Sequence, residues 1–529
     1  MKKFKSVLLA LLFVAFVGTA AVGCGVDKHG TSSSTKNSIN FFTSNFESQN
    51  SNDIGDSSSI EESLSSIENS SSSEDSSFDS SNEEEISSKG LGYTLNESGD
   101  SYAVIDIGFC VDTDVIIPAS YDGLPVTVIG NGAFFNCFDL TSVVIGDNVT
   151  KIGFDAFYNC RSLASVEISD GVTEIGRNAF RGCRNLTNIK VSEDNCAYKD
   201  IDGNLCTKDG TVLIQYTVGK TATEFVSPDS ITTIGDYAFS DCDNLTSVTV
   251  GESVTTIGGG AFLGCSSLRK IELPSSAILI GGEAFYNTGY YNDASNWGND
   301  VLYIGKYLIA AKTSIKGEYT IKEGTLGIAY GAFLGCNNLA SIEIPDSVIA
   351  IGDYAFGRCA LLTSIKVNEN NSVYKDIDGN LYTKDGTVLM QYAIGKTATE
   401  FVIPDSVFKI GCFAFIVCQN LTSITIPDNV IAIDEGAFYE CENLASVLIP
   451  DSVTTIGERA FEVCSRLTNV VIGEGVTIMD AFAFSWCKGL TSITFNGTVE
   501  EWNAIEKGYG WTNEMPATEV VCRDGVVAL

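Results

Sequence analysis

Hydrophobic residues return on a regular beat along most of this chain. An Ala-Phe pair recurs twelve times, from Ala133-Phe134 to Ala483-Phe484, and most neighbouring pairs lie 23 residues apart. The same positions repeat around each pair, and one full unit runs from Leu163 to Cys183. In it Val166 and Ile168 alternate with Ser165 and Glu167, which predicts a short strand with one face inward. Copies stacked in register predict a parallel sheet with rungs roughly 4.8 Å apart. Val172 and Ile175 are expected to pack the next side, Gly176 to supply an easy turn, and Phe180 to join a column of stacked rings. No single coil can bury its own apolar face, so stability has to come from stacking many.

Longer elements interrupt the beat. Residues 189–226 and 365–402 are near copies, and Ala179 to Ala355, like Ala238 to Ala414, spans 176 residues, so a block of that length is duplicated in tandem. Asp-Gly turns flanked by apolar residues predict β-hairpins projecting from the coil at both places. Asp200-Ile-Asp202-Gly203-Asn204 and its copy at 376–380 look faintly like calcium loops. No later Glu stands at the expected spacing, so a turn is the better reading. A third insertion, 286–326, carries Tyr290, Tyr291 and Trp297 in an Asn-rich loop.

The repeat Leu-x-x-Ile-x-Ile-Pro-x-x-Val-x-x-Ile-Gly-x-x-Ala-Phe-x-x-Cys, clearest from Leu339 to Cys359, resembles the BspA-like class of leucine-rich repeats. The resemblance covers about residues 93–529. Tyr102 to Pro125, with Ile117-Pro118 and Gly123-Leu124-Pro125, resembles that family's usual opening segment. It implies a mainly β, curved leucine-rich-repeat solenoid of about twelve 23-residue coils with strands lining one side; a parallel β-helix is the nearest rival. On this reading an N-terminal cap spans 93–127, the solenoid 128–495 and a C-terminal cap 496–529. Proteins resembling this family act as adhesins toward host matrix proteins or other bacteria.

The first ninety residues are of another kind. Lys2, Lys3 and Lys5 precede an apolar run from Val7 to Val17, the pattern of a secretory signal. Ala21-Val22-Gly23-Cys24 resembles the bacterial lipobox, which implies a signal peptide over 1–23 and lipid attachment at Cys24, hence an exported chain anchored to the membrane and facing outward. The plainer alternative is cleavage near Ala20 or Ala21, with Cys24 an ordinary thiol. Residues 24–92 read as a disordered linker, since 51–90 hold 17 serines and 11 acidic residues against one lysine. A spacer and a merely tolerated tail are both open.

Seventeen cysteines in an exported chain would ordinarily suggest disulfides. Eleven of them, however, lie three residues after a repeat phenylalanine, with Thr288 in the twelfth place. Their Cβ atoms should lie a rung apart, roughly 4.8 Å, which exceeds the ~3.8 Å of a disulfide. A column of buried free thiols is expected, and one thiol per coil builds no zinc site. Cys196 and Cys206 differ: Ser372 and Tyr382 replace them together in the duplicate block, which raises the expectation of a hairpin disulfide.

A net charge of −35 argues against nucleic acid as a partner. The only histidine, His29, precedes the repeats, so no histidine-based catalytic or zinc site is available there. Scattered carboxylates could pair across coils as in sugar-cleaving solenoids, but nothing holds two of them at the roughly 5–10 Å that glycoside chemistry needs. No enzyme activity, cofactor or metal is expected. The outward strand positions form one row that is almost all Ser or Asn and a mixed row that includes Glu167, Lys190, Glu272, Glu343 and Lys366. Such a sheet suits an extended protein or glycan ligand, and suits plain solvent equally. Binding hot spots favour Tyr, Trp and Arg, which makes Tyr290, Tyr291 and Trp297 the best single candidates; packing of that loop on the solenoid is the competing reading. The function expected is cell-surface adhesion, with a structural spacer and a polysaccharide-active enzyme as alternatives.

Overall fold

A computed structural model describes residues 87–529, Ala277 excepted. The signal segment, Cys24 and the linker up to residue 86 lie outside the described residues. From Ser87 on the chain forms one compact unit, a β-solenoid. The alternating segment is the strand Ser165–Ile168, with Val166 and Ile168 buried and Glu167 exposed. It pairs in parallel and in register with Ser142–Ile145 on one side and Asn188–Val191 on the other.

A second ladder runs along the next side of the coil, built from strands of only two residues: Lys151–Ile152, Glu174–Ile175, Thr233–Ile234 and their successors. Two residues carry no visible alternation, which is why the sequence shows apolar packing there but not a sheet. A third set of backbone bonds joins the turn segments. Asp155, Phe157 and Asn159 donate their N–H groups to the carbonyls of Arg177, Ala179 and Arg181 at 3.1, 2.8 and 2.7 Å. This geometry needs left-handed residues before the repeat Ala and before the repeat Cys. Asn178 and Gly182 supply them in one coil, and every other Ala-Phe coil repeats the arrangement, even with Tyr354 and Val417.

Inside, the phenylalanine rings stack: Phe134 on Phe157 at 5.0 Å and Phe157 on Phe180 at 5.5 Å, then again from Phe415 through Phe438 and Phe461 to Phe484.

The two duplicated insertions do not project as expected. Strand Asn204–Thr207 pairs antiparallel with both Tyr198–Ile201 and Val212–Gln215, and Val212–Gln215 joins the second ladder beside Thr233–Ile234. Each insertion is therefore an extra coil whose hairpin is built into the wall. The reason lies in adjacent apolar residues: Leu205 and Cys206 point to opposite faces of one strand, and both are buried. Tyr216 takes the phenylalanine place, stacking on Phe239 at 4.6 Å, but this coil omits the six-residue turn segment. The third insertion uses the same device, with Tyr307–Ala311 joining Gly327–Ile328 and Lys316–Thr320 joining Asn338–Ile344.

The C-terminal end is closed by the helix Val499–Ala504, started by a capping box between Thr498 and Glu501, with Trp502 buried against the last coil.

Candidate binding surfaces

The outward face of the first ladder is quieter than its composition suggests. Glu167 pairs with Lys190 at 3.3 Å, Glu272 with Lys270 at 2.9 Å, and Glu343 with Lys366 at 3.7 Å. All are exposed, so each pair contributes little to stability, but together they leave the charged row largely self-neutralised. This face is divided into sheets of four, three, three, two and five strands, and the inserted coils make the first three of those breaks. Beyond Asn188–Val191, for example, Ile189 donates its N–H to Gly203 of the hairpin turn rather than to another strand. An extended ligand meets panels here, not one continuous sheet.

The aromatic loop is packed rather than presented. Tyr290 donates its hydroxyl to the Tyr303 carbonyl at 2.9 Å, and Trp297 donates Nε1–H to the Tyr291 carbonyl at 2.7 Å. Tyr291 meets Trp297 edge to face at 5.1 Å, and Lys312 Nζ sits 4.9 Å from the Trp297 ring. All three rings pack against the core, and burial raises both tyrosine hydroxyls above their ordinary pKa. Of the two readings, packing on the solenoid fits these contacts better.

The cysteine column faces inward. Most of these thiols do more than fill space: Cys160 donates to the Phe134 carbonyl at 3.0 Å and Cys441 to Phe415 at 3.1 Å, and the same contact recurs at Cys183, Cys265, Cys359, Cys464 and Cys487. The bond ties a coil to the phenylalanine of the coil before it. Cys242 and Cys418, which follow the hairpin coils, are buried too, and burial pushes their thiols up to about 12. The hairpin disulfide is not formed: Cys196 and Cys206 are both free. The hairpin register places Lys199, not Cys196, opposite Cys206, whose side chain turns into the core.

At the hairpin turn, the Lys220 ammonium bonds the Asp202 carbonyl and, at 2.8 Å, Asn204 Oδ1. Asp200 Oδ1 meanwhile accepts from the Val191 N–H at 3.0 Å. The side-chain oxygens of Asp200 and Asn204 that resembled calcium ligands are already held by the protein's own amide and cation. Lys396 repeats the arrangement on Asp378 and Asn380.

One surface was not foreseen. On the turn side of the first coils Phe135, Phe138 and Phe154 are about half exposed. Arg161 lies over the Phe138 ring at 5.3 Å, Phe135 stacks on Tyr158 at 5.1 Å, and Arg181 lies between Tyr158 at 5.8 Å and Tyr237 at 4.2 Å. The signal was present in the sequence: four of the chain's nine arginines fall between residues 161 and 184. The repeat pattern alone does not single them out, because it reports the inward positions of each coil.

The model of the BspA type leucine rich repeat region, in six copies, matches residues 122–205, 218–325, 302–383 and 392–505, more than half of the chain. The chain is a BspA-type leucine-rich-repeat protein. BspA-type proteins are typically bacterial surface proteins and generally non-enzymatic scaffolds. Among solved structures, a leucine rich cell surface protein of Faecalibacterium prausnitzii is 26% identical, covering 80% of this chain and 97% of its own, with a TM-score of 0.30. A leucine-rich repeat protein of Eubacterium ventriosum is 24% identical over 61% of this chain and 94% of its own, with a TM-score of 0.34. The pneumococcal vaccine antigen PcpA is 17% identical over 83% of this chain and 87% of its own, with a TM-score of 0.33. No curated protein matches the sequence. No helix among the described residues is long and apolar enough to cross a membrane.

Proposed function

We propose that this BspA-type chain is a non-catalytic adhesion scaffold, exported and tethered through a lipid on Cys24, that binds an extracellular protein or glycan outside a bacterial cell. The tether rests on the lipobox-like Ala21-Val22-Gly23-Cys24. The binding role rests on one observation above all: Phe135, Phe138 and Phe154 stand exposed beside Arg161 and Arg181 on an otherwise strongly acidic molecule. Aromatic and arginine side chains dominate binding hot spots, and neither row of the sheet face nor the packed loop offers a comparable group.

The test is binding of the full chain to immobilised host matrix proteins and to whole bacterial cells. Replacing Phe135, Phe138 and Phe154 together by Ala is expected to weaken that binding roughly tenfold or more, since each hot-spot residue contributes on the order of 1–2 kcal/mol. Binding unchanged by the triple substitution would move the contact elsewhere. Binding to no surface at all would leave a spacer as the function.

A further inference from the structure

Because each duplicated hairpin coil omits its turn segment, a cleft opens between the turns on either side of it. The first cleft, between residues 176–180 and 235–237, encloses about 150 Å³, a size that accepts one six-membered ring. Its floor is apolar, formed by Leu205, Val212 and Ile214. The ion pair between Arg177 Nη2 and Asp236 Oδ2 spans it at 3.0 Å.

Polar groups at this cleft are left without partners. Among the described residues nothing reaches Arg177 Nε or Asn178 Oδ1, both on the lining, although both atoms are shut off from solvent. Arg181 Nε, behind Tyr237, and Asp155 Oδ1, one coil below Asn178, are unpaired as well but do not line the cleft. Buried polar atoms are seldom left unpaired, and two on the lining of one cavity call for an occupant. One is a donor, Arg177 Nε, and the other an acceptor, Asn178 Oδ1. The fixed charges on the lining are balanced as well, Arg177 against Asp236, so a charged ligand gains little. A compact, neutral frame rich in hydroxyls, which both donate and accept, answers this set.

We propose that this cleft binds a single neutral pyranose unit of a surface glycan. The proposal rests on the adhesion reading above and supplies a ligand class for it. The duplicated block provides an internal control. There Asp353 and Tyr354 replace Arg177 and Asn178, and Cys412 and Phe413 replace Asp236 and Tyr237. Tyr354 meets Phe413 at 5.0 Å, the cavity shrinks to about 10 Å³, and none of its lining side chains carries an orphaned buried polar atom. The frame is the same and the cleft is closed. Tyr354 also holds the left-handed backbone (φ 62°) that Asn178 holds at 59°, so a tyrosine is compatible with that position.

The experiment is ligand-observed NMR of the full chain against free neutral hexoses and N-acetylhexosamines. At least one is expected to bind saturably at millimolar concentration. Asn178→Tyr, which copies the closed cleft, should weaken that binding roughly tenfold or more without lowering the unfolding temperature, and Arg177→Met should do the same if Asn178→Tyr fails to fold. A panel with no saturable binder, leaving water as the occupant, or equal binding by the variants, overturns the proposal. Adhesion without sugar binding sinks the cleft alone. Sugar binding without adhesion supports the cleft and sinks the broader reading.

Discussion

A Cβ placed on Gly176 would lie 2.5 Å from both the Gly153 carbonyl carbon and the Phe154 nitrogen of the coil below. The glycine is therefore required for close approach of two backbones; the turning is done by Asn178 and Gly182. Its recurrence was plain in the sequence, but its reason was not, because the contact is with a residue 23 positions away. Gly176→Ala is expected to cost about 1–3 kcal/mol by overpacking, seen as a lower unfolding temperature. Gly298→Ala, where nothing lies within 4 Å, should stay within about 0.5 kcal/mol. Equal effects would remove the close-approach argument. Glu435 carries a second residue-scale consequence. Burial, then the nearby Glu458, pushes its carboxyl from 4.5 up to about 8, against the pull of Arg459. The folded chain keeps a proton that the unfolded chain has released, so stability should fall as pH rises between these two values. Glu435→Gln should flatten that part of a plot of Tm against pH; a parallel curve for the variant would show that Glu435 does not titrate high.

At the scale of elements, the strand Ser165–Ile168 was legible because four residues are enough to show alternation on a half-buried sheet. The inserted hairpins were legible as hairpins from their Asp-Gly turns, but not as parts of the wall. Leu205 and Cys206 are neighbours in sequence and both apolar, a pattern that fits a strand buried on two faces; read beside an Asp-Gly turn it passed for a simple arm. Lys220 locks the arrangement by holding the turn oxygens. Lys220→Met should lower stability by roughly 1 kcal/mol, measured as a shift of thermal unfolding. Added calcium should leave the unmodified chain's Tm where it is, and a calcium-induced rise would reopen the metal reading. The aromatic loop marks the opposite kind of miss: composition alone cannot tell a ring offered to a ligand from one whose hydroxyl or indole N–H is already bonded to its own backbone.

Over the whole molecule the core is not one column but three. Leu205 belongs to the first buried cluster and Cys206 to the second, while Leu381 closes the second and Tyr382 opens the third. The hairpin strands stand as partitions, one face to each side. In a stack whose units contact mainly their neighbours, damage should spread only locally. Trp502→Ala, which empties the C-terminal cap of its largest buried side chain, is expected to cost about 3–5 kcal/mol. Hydrogen exchange should then show lost protection in the last coils, beyond Tyr382, with the coils before Leu205 unchanged. Uniform loss along the solenoid would mean that the three clusters unfold as one.

The repeat itself, the strand that alternates, the inward thiols and the duplicated block could all be read from order along the chain, because each depends on spacing within one coil or between identical coils. Folding was needed to reveal the two-residue ladder, the contact behind Gly176, the hairpin partitions and the open cleft beside Asn178. Those features come from residues that meet only after coils stack, and whether a side chain there is free, paired or buried depends on what the neighbouring coil places against it.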